Sequence, residues 1–337
     1  MARAFVCGCK DLRLDAEERA FLRQTDPFGL ILFKRNVSDP AQVKALTSEF
    51  RDAVGRGEAT VWVDQEGGRV QRLGPPHWPS YPAAQRFLAE RPRERAAEAV
   101  RLVALLIAHD LREVGINVDC APVLDVADDL THAVIGTRAY GKDPVDVAEL
   151  GRAMMEGLID GGVLPVVKHV PGHGRARADS HLELPTVEAS RAELEARDFA
   201  PFRALRDAPA AMTAHVVYTA LDPSAPATLS RPILEGLIRG EFGFDGLLVS
   251  DDLSMKALSG DFSARAGAAF AAGCNIALHC NGDLAEARPV AEASPELAGE
   301  SLRRAEAALA RIAGGPRPFD VAEGRARLAE IEFATTA

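Results

Sequence analysis

The densest chemistry in the chain lies at 163–185, where Lys168, His169, His173, Asp179 and His181 fall within fourteen positions, although the whole sequence holds only 8 histidines. An apolar run delivers Lys168 and His169, and Pro171, Gly172 and Gly174 then impose turns. A long irregular loop inside a compact domain is usually a lid or a binding loop. Asp179 and His181 stand two apart, so a turn lets the carboxylate accept a hydrogen bond from the imidazole. That contact favours imidazolium and raises the histidine pKa, which makes the pair a candidate general acid. The plainer alternative is that the pair only closes the loop. A second segment, 246–255, is an apolar run that ends in Asp251 and Asp252. Consecutive strand residues face opposite ways, so at most one of them points into a site. Asp251 is the candidate nucleophile or metal ligand, and Asp252 is expected to cap the following helix.

Two further segments carry less on their own. In 64–73 the pair Gly67-Gly68 makes a tight turn that lets Asp64 and the arginines, Arg72 among them, converge. A carboxylate beside guanidinium forks suits sugar hydroxyls, which both donate and accept. A surface ion-pair turn fits that segment equally well. It lacks the order of a phosphate-binding P-loop. Arg138 stands alone in a Gly-bounded loop, 134–141.

The surrounding pattern says what must position these groups. Short apolar or β-branched runs at 4–7, 29–33, 60–64, 117–122, 163–169, 211–217, 247–251 and 274–279 are predicted strands. Helical periodicity fills 40–54, 92–114, 144–160, 189–206 and 263–272, and three of these segments open with proline, which suits the first helical turn. Most runs are apolar throughout, as parallel strands covered on both faces require. Eight such alternations predict an α/β fold, a single (β/α)8 TIM-type barrel, with a doubly wound open sheet as the alternative. The barrel is expected to span 1–337 as one domain, with a helical tail from about 284 in which 296–313 and 320–331 are closing helices. Polar residues collect at the C-terminal ends of the runs, which in a barrel is the catalytic face. Charge at the end of a buried strand is costly unless it is paired at a solvated site.

Composition removes other classes. Hydrophobic residues make up 47% and charged residues 26%, so the chain is globular, not disordered. The 39 basic against 49 acidic residues leave a net charge of −10 with no Lys/Arg cluster, which argues against nucleic acid as a partner. No apolar run is long enough for a bilayer. The first residues lack a secretory apolar region, so a cytoplasmic protein is expected. The 5 cysteines are too few and scattered for a disulfide framework and are read as reduced.

Taken together and in order, the segments resemble the bacterial β-N-acetylglucosaminidases of glycoside hydrolase family 3. The family pattern D-Q-E-G-G-R-V-Q-R matches 64–72, I-G-x-R-x-[FY] matches 135–140, K-H-[FV]-P-G-H-G matches 168–174, D-S-H matches 179–181 and S-D-D-L-x-M matches 250–255. The likeness runs from about Gly29 to Asn281. It implies that Asp251 is a nucleophile forming a covalent glycosyl-enzyme. His181, paired with Asp179, would be general acid and then general base. Asp64, Arg72, Arg138, Lys168 and His169 would hold the terminal N-acetylglucosamine. The single-domain members of the family cleave anhydro-muropeptides in peptidoglycan recycling, with no cofactor and no metal.

The resemblance thus implies a glycan substrate, no nucleic-acid or membrane partner, and a monomer or weak homodimer. The loop departs from the pattern at Arg175-Ala176-Arg177-Ala178. Guanidinium groups there oppose imidazolium if they point inward, and bind an anionic ligand if they point at it. A histidine acid is neutral after donating its proton, so phosphate as second nucleophile is the alternative to water. A metal-dependent amidohydrolase using His169, His173, His181, His215 and Asp251 is a further alternative. Against it, strand alternation turns Lys168 and His169 apart. A sugar-binding barrel without catalysis would need neither Asp251 nor His181.

Overall fold

The computed structural model describes residues 2–88, 92–180 and 182–331. Eight parallel strands build its centre: β1 Arg3–Gly8, β2 Pro27–Leu32, β3 Thr60–Val63, β4 Val118–Asp119, β5 in two pieces at Leu164–Pro165 and Val167–Val170, β6 Ala210–Thr213, β7 Leu247–Asp252 and β8 Ile276–His279. Each pairs with its neighbour in sequence, and β1 pairs with β8. The first piece of β5 pairs with β4, and the second pairs with β6. One strand therefore bridges both neighbours and the ring closes, as expected of a (β/α)8 barrel and not of an open sheet.

The strands are buried on both faces, which is why their sequences do not alternate; every residue of β2 is buried. Residues pointing to the axis, among them Ile31, Trp62, Met212 and Leu278, form an interior cluster. The other faces join a larger cluster between the strands and the helices. The helices begin where the sequence supplies caps. Asp39 accepts from Gln42 N–H with Pro40 in the first turn, and Asp143 does the same for the Pro144–Asp160 helix.

Two helices lie outside the segments predicted from periodicity. Ala16–Thr25 is opened by an Asp15–Glu18 capping box, and Pro232–Glu241 is wound as a π-helix around two glycines. The tail holds helices Leu284–Ala293, Gly299–Ala310 and Val321–Glu330. Leu297, Ala305 and Ala308 join the interior cluster and cover its floor. Among the described residues no helix is long and apolar enough to cross a membrane.

Candidate active site

The C-terminal strand ends surround a cavity of about 280 Å³, near the lower bound for small-molecule sites and suited to one monosaccharide. Asp64, Arg72, Arg138, Lys168, His169 and Asp251 all line it, together with apolar Ile31, Phe33, Met212 and Leu278. Six of the eight predicted site residues are thus brought together. Asp179 is described but does not line the cavity, whereas its neighbour Ser180 does. His181 lies outside the described residues.

A network of opposite charges forms one wall. The Lys168 ammonium is 98% buried and donates to Asp64 Oδ1 at 2.8 Å and to Glu66 Oε1 at 2.7 Å. Arg72 reaches the other Asp64 oxygen at 2.8 Å. Arg138 grips Glu66 with both forks, at 2.8 and 2.7 Å. Burial alone would raise both carboxyls. Lys168 with Arg72 overcomes it at Asp64, and Arg138 with Lys168 lowers Glu66 to about 2, so both are anionic. The wall is held by the hairpin Gln65–Gly67 and Val70–Gln71. Gln65 accepts from the N–H groups of Arg72 and Leu73 and donates to the Leu73 carbonyl. Gly67 turns with φ +92, where a Cβ would sit 2.4 Å from the Pro82 carbonyl oxygen. The hairpin therefore needs glycine there.

Three acidic residues of this region escape the sequence reading. Glu66 completes the wall. Asp119, at the end of β4, is fully buried; one oxygen accepts from Gln65 N–H at 2.9 Å and the other has no partner. Burial lifts its carboxyl to about 7. Asp125 accepts from His169 Nδ1 at 2.7 Å and from the His173 N–H at 2.6 Å. Burial opposes its charge, but His169 outweighs that and lowers the Asp125 carboxyl to about 2. This bond fixes the His169 tautomer and turns its other nitrogen away from Asp125. The available signal was a carboxylate inside or beside an apolar run, which must have a partner or lose its charge.

Asp251 is the penultimate residue of β7; its backbone N–H lies 3.3 Å from Thr213 Oγ1, and its Oδ1 accepts the Asp252 N–H at 2.8 Å. Its residue is 6% exposed, so a carboxylate faces the cavity with little competing water. The expectation for Asp252 needs correction. It accepts from Ser254 N–H, Ser254 Oγ and Cys280 N–H, and so caps a turn and ties β7 to the end of β8. The next helix starts at Phe262 under Asp261.

The separation expected of Lys168 and His169 also fails: both line the cavity. The register of β5 against β6 shifts between Met212 and Thr213, so alternation is not kept through the pair. His173 and His215 are kept neutral, chiefly by burial; His173 falls to about 4. His215 Nε2 donates to the Asp252 carbonyl at 3.0 Å. Among the described residues no three His, Cys, Asp or Glu side chains are grouped to hold a metal ion. Arg175 pairs with the buried Asp198 at 2.6 Å and Arg177 with Asp128 at 2.7 Å, and neither aspartate lines the cavity.

Comparison with known proteins identifies the family. The model of the glycosyl hydrolase family 3 N-terminal domain matches residues 5–313. A β-hexosaminidase of Pseudomonas aeruginosa is 41% identical over 296 residues, covering 86% of this chain and 83% of its own. NagZ from Neisseria gonorrhoeae, solved in complex with N-trifluoroacetyl-D-glucosamine, has a TM-score of 0.85 at 33% identity, with 98% of each chain covered. A β-N-acetylglucosaminidase of family 3 from a Paenibacillus species has a TM-score of 0.81 at 34% identity; it covers 99% of this chain, which spans 63% of that longer one. With Asp251 near the end of β7, a charge-paired wall beside it, and these proteins matching nearly its whole length, the chain belongs to glycosyl hydrolase family 3.

Proposed function

We propose that this chain is a retaining β-N-acetylglucosaminidase that removes a terminal N-acetylglucosamine from β-1,4-linked anhydro-muropeptides in cytoplasmic peptidoglycan recycling. The observation that carries the reading is Asp251, a carboxylate at the end of β7 facing the same cavity as the wall of Asp64, Arg72, Lys168, Glu66 and Arg138. The wall offers oriented donors and acceptors to sugar hydroxyls, and the cavity has room for one ring. The β-hexosaminidase relatives and the NagZ complex with an N-acylglucosamine analogue support the substrate class.

In the proposed reaction an Asp251 oxygen bonds C1 as the bond from C1 to the leaving oxygen breaks. His181, oriented by Asp179, gives its proton to that oxygen. Water then attacks C1, His181 takes back a proton, and the Asp251 carboxylate is released, so two inversions leave the β configuration unchanged. His169, steadied by Asp125, and the charged wall hold the ring in place meanwhile. The decisive experiment incubates the protein with a fluorinated, activated aryl glycoside and maps the product by mass spectrometry. A glycosyl adduct on the peptide holding Asp251 supports the reading; an unmodified Asp251 with an inverted product refutes it. Running the natural disaccharide with and without phosphate separates hydrolysis from phosphorolysis.

A further inference from the structure

The loop 171–185 carries Asp179, and it is fastened at points the proposed chemistry does not require. At its base Gly174 lies against β4's following loop so closely that a Cβ would meet the Val126 carbonyl oxygen at 2.0 Å. The Gly174 carbonyl accepts from Thr131 Oγ1 at 2.8 Å. Two residues before Asp179, Arg177 sends both forks to Asp128, at 2.7 and 3.0 Å. Arg197, from the helical segment that follows the loop, reaches the same carboxylate at 3.2 Å and donates to the Val126 carbonyl at 2.9 Å. Asp128 is itself held, its Oδ1 accepting from Leu130 N–H at 2.8 Å. On the far side Ser180 lines the cavity, and its carbonyl accepts from Ala257 N–H at 3.3 Å.

We propose that Asp128 is a positioning residue for the reaction, and that the Arg177–Asp128–Arg197 clamp sets the height of Asp179, and through it the acid, above the cavity. Three facts favour this over a merely stabilising surface pair. The contact is bidentate, and so directional in a way a single ammonium is not. Its two arginines come from separate segments, Arg177 from the loop and Arg197 from the helical segment after it, so one carboxylate ties the two segments together. The third is that the clamp and Ser180 attach the loop to opposite sides of the cavity, to the chain after β4 and the chain after β7. In the chain Asp179 lies between these two attachments, so loss of the clamp removes one of the fixings nearest to it. Ground-state binding of the sugar is assigned to Asp64, Arg72, Arg138 and Lys168, and their ion pairs are with one another and Glu66, not with Asp128, Arg177 or Arg197. The clamp's loss is therefore expected to appear in the step that needs a proton.

The inference rests on the proposed reading of His181 and Asp179 as the acid, and its test is arranged to separate the two. Arg177→Met, Arg177→Lys and Asp128→Asn are compared with His181→Ala on aryl N-acetylglucosaminides whose leaving groups range from dinitrophenol to unsubstituted phenol. Arg177→Met is expected to lose about fivefold in kcat/KM on the poor leaving group and less than about twofold on the activated one, the size expected from a partly exposed ion pair. KM is expected to hold, Arg177→Lys to recover part of the loss, and thermal midpoints to stay near that of the parent, because Arg177 is 43% exposed. Asp128→Asn is expected to reproduce the same dependence. Equal losses on both leaving groups, or no loss, overturn the clamp's role while a steep dependence in His181→Ala keeps the acid. A flat dependence in His181→Ala removes the acid assignment and this inference with it.

Discussion

Replacing Lys168 by Met tests whether the wall is as tightly coupled as its distances imply. Methionine keeps the length and flexibility of the side chain but removes the charge. In the parent, one ammonium buried to 98% is shared by Asp64 and Glu66 at 2.8 and 2.7 Å. Deleting one member of a buried ion pair costs about 3–5 kcal/mol, because a carboxylate is left short of its compensation. Here Arg72 and Arg138 each still neutralise one carboxylate, which places the cost near the lower end, about 3 kcal/mol. With an unfolding entropy of about 2.1 cal/mol/K per residue, a chain of 337 residues shifts by roughly 1.4 °C per kcal/mol, so the melting temperature should fall by about 4 °C.

The pH dependence has a definite sign. The folded-state carboxyls of Asp64 and Glu66 lie below their unfolded values, Glu66 at about 2. Their stabilisation is present above the unfolded carboxylate range and is lost as pH falls through the folded values. The gap between parent and Lys168→Met should therefore be full at pH 7 and narrow from about pH 5 toward pH 2. Thermal denaturation followed by circular dichroism across that range measures it. A variant that melts within about 2 °C of the parent at pH 7 refutes the coupling.

Asp119→Asn probes the opposite case. Its folded carboxyl is raised to about 7, so folded parent holds a proton that the unfolded chain releases above about pH 4. Parent stability should decline relative to the variant between those values and then level off; a pH-independent difference in melting temperature would sink the assignment. Gly174→Ala sets a Cβ against the Val126 carbonyl and should cost about 1–3 kcal/mol, with reduced kcat/KM on natural substrate. Unchanged melting and turnover would show that the loop base gives way freely. Exhaustive chelation should leave activity unchanged, and its loss, restored by one metal, would revive the amidohydrolase alternative.

Much of the barrel is legible because a doubly covered strand cannot hide its composition. The runs at 29–33, 60–64 and 247–251 announce themselves by their apolar and β-branched residues, and charge begins at the end of each. For the same reason Asp64, Lys168 and Asp251 are found from sequence. Asp119 and Asp125 are not, because their partners, the Gln65 amide and the His169 ring, come from other strands and no local spacing betrays them. Glu66 is hidden by the turn glycines beside it, which suggest an exposed loop where the chain in fact folds inward onto Arg138. The Pro232–Glu241 helix is obscured by Gly236 and Gly240, which weaken its helical pattern. Strand alternation misplaced His169 because it presumes a regular register, and β5 does not keep one.

The way the wall pairs its charges has a consequence for traffic into the pocket. Its two carboxylates meet three cations, and Arg69, Asp251 and Asp252 also line the cavity, so four positive groups face four negative ones and the mouth projects little net field. An uncharged ring is neither pulled in nor repelled at long range, and dissolved salt has little to screen. In the proposed reaction positive charge gathers at C1 during bond breaking, and the counterpart assigned to it is Asp251 near the end of β7. The pocket is thus electrically quiet toward its visitor at rest and responds to charge only at the moment the bond gives way.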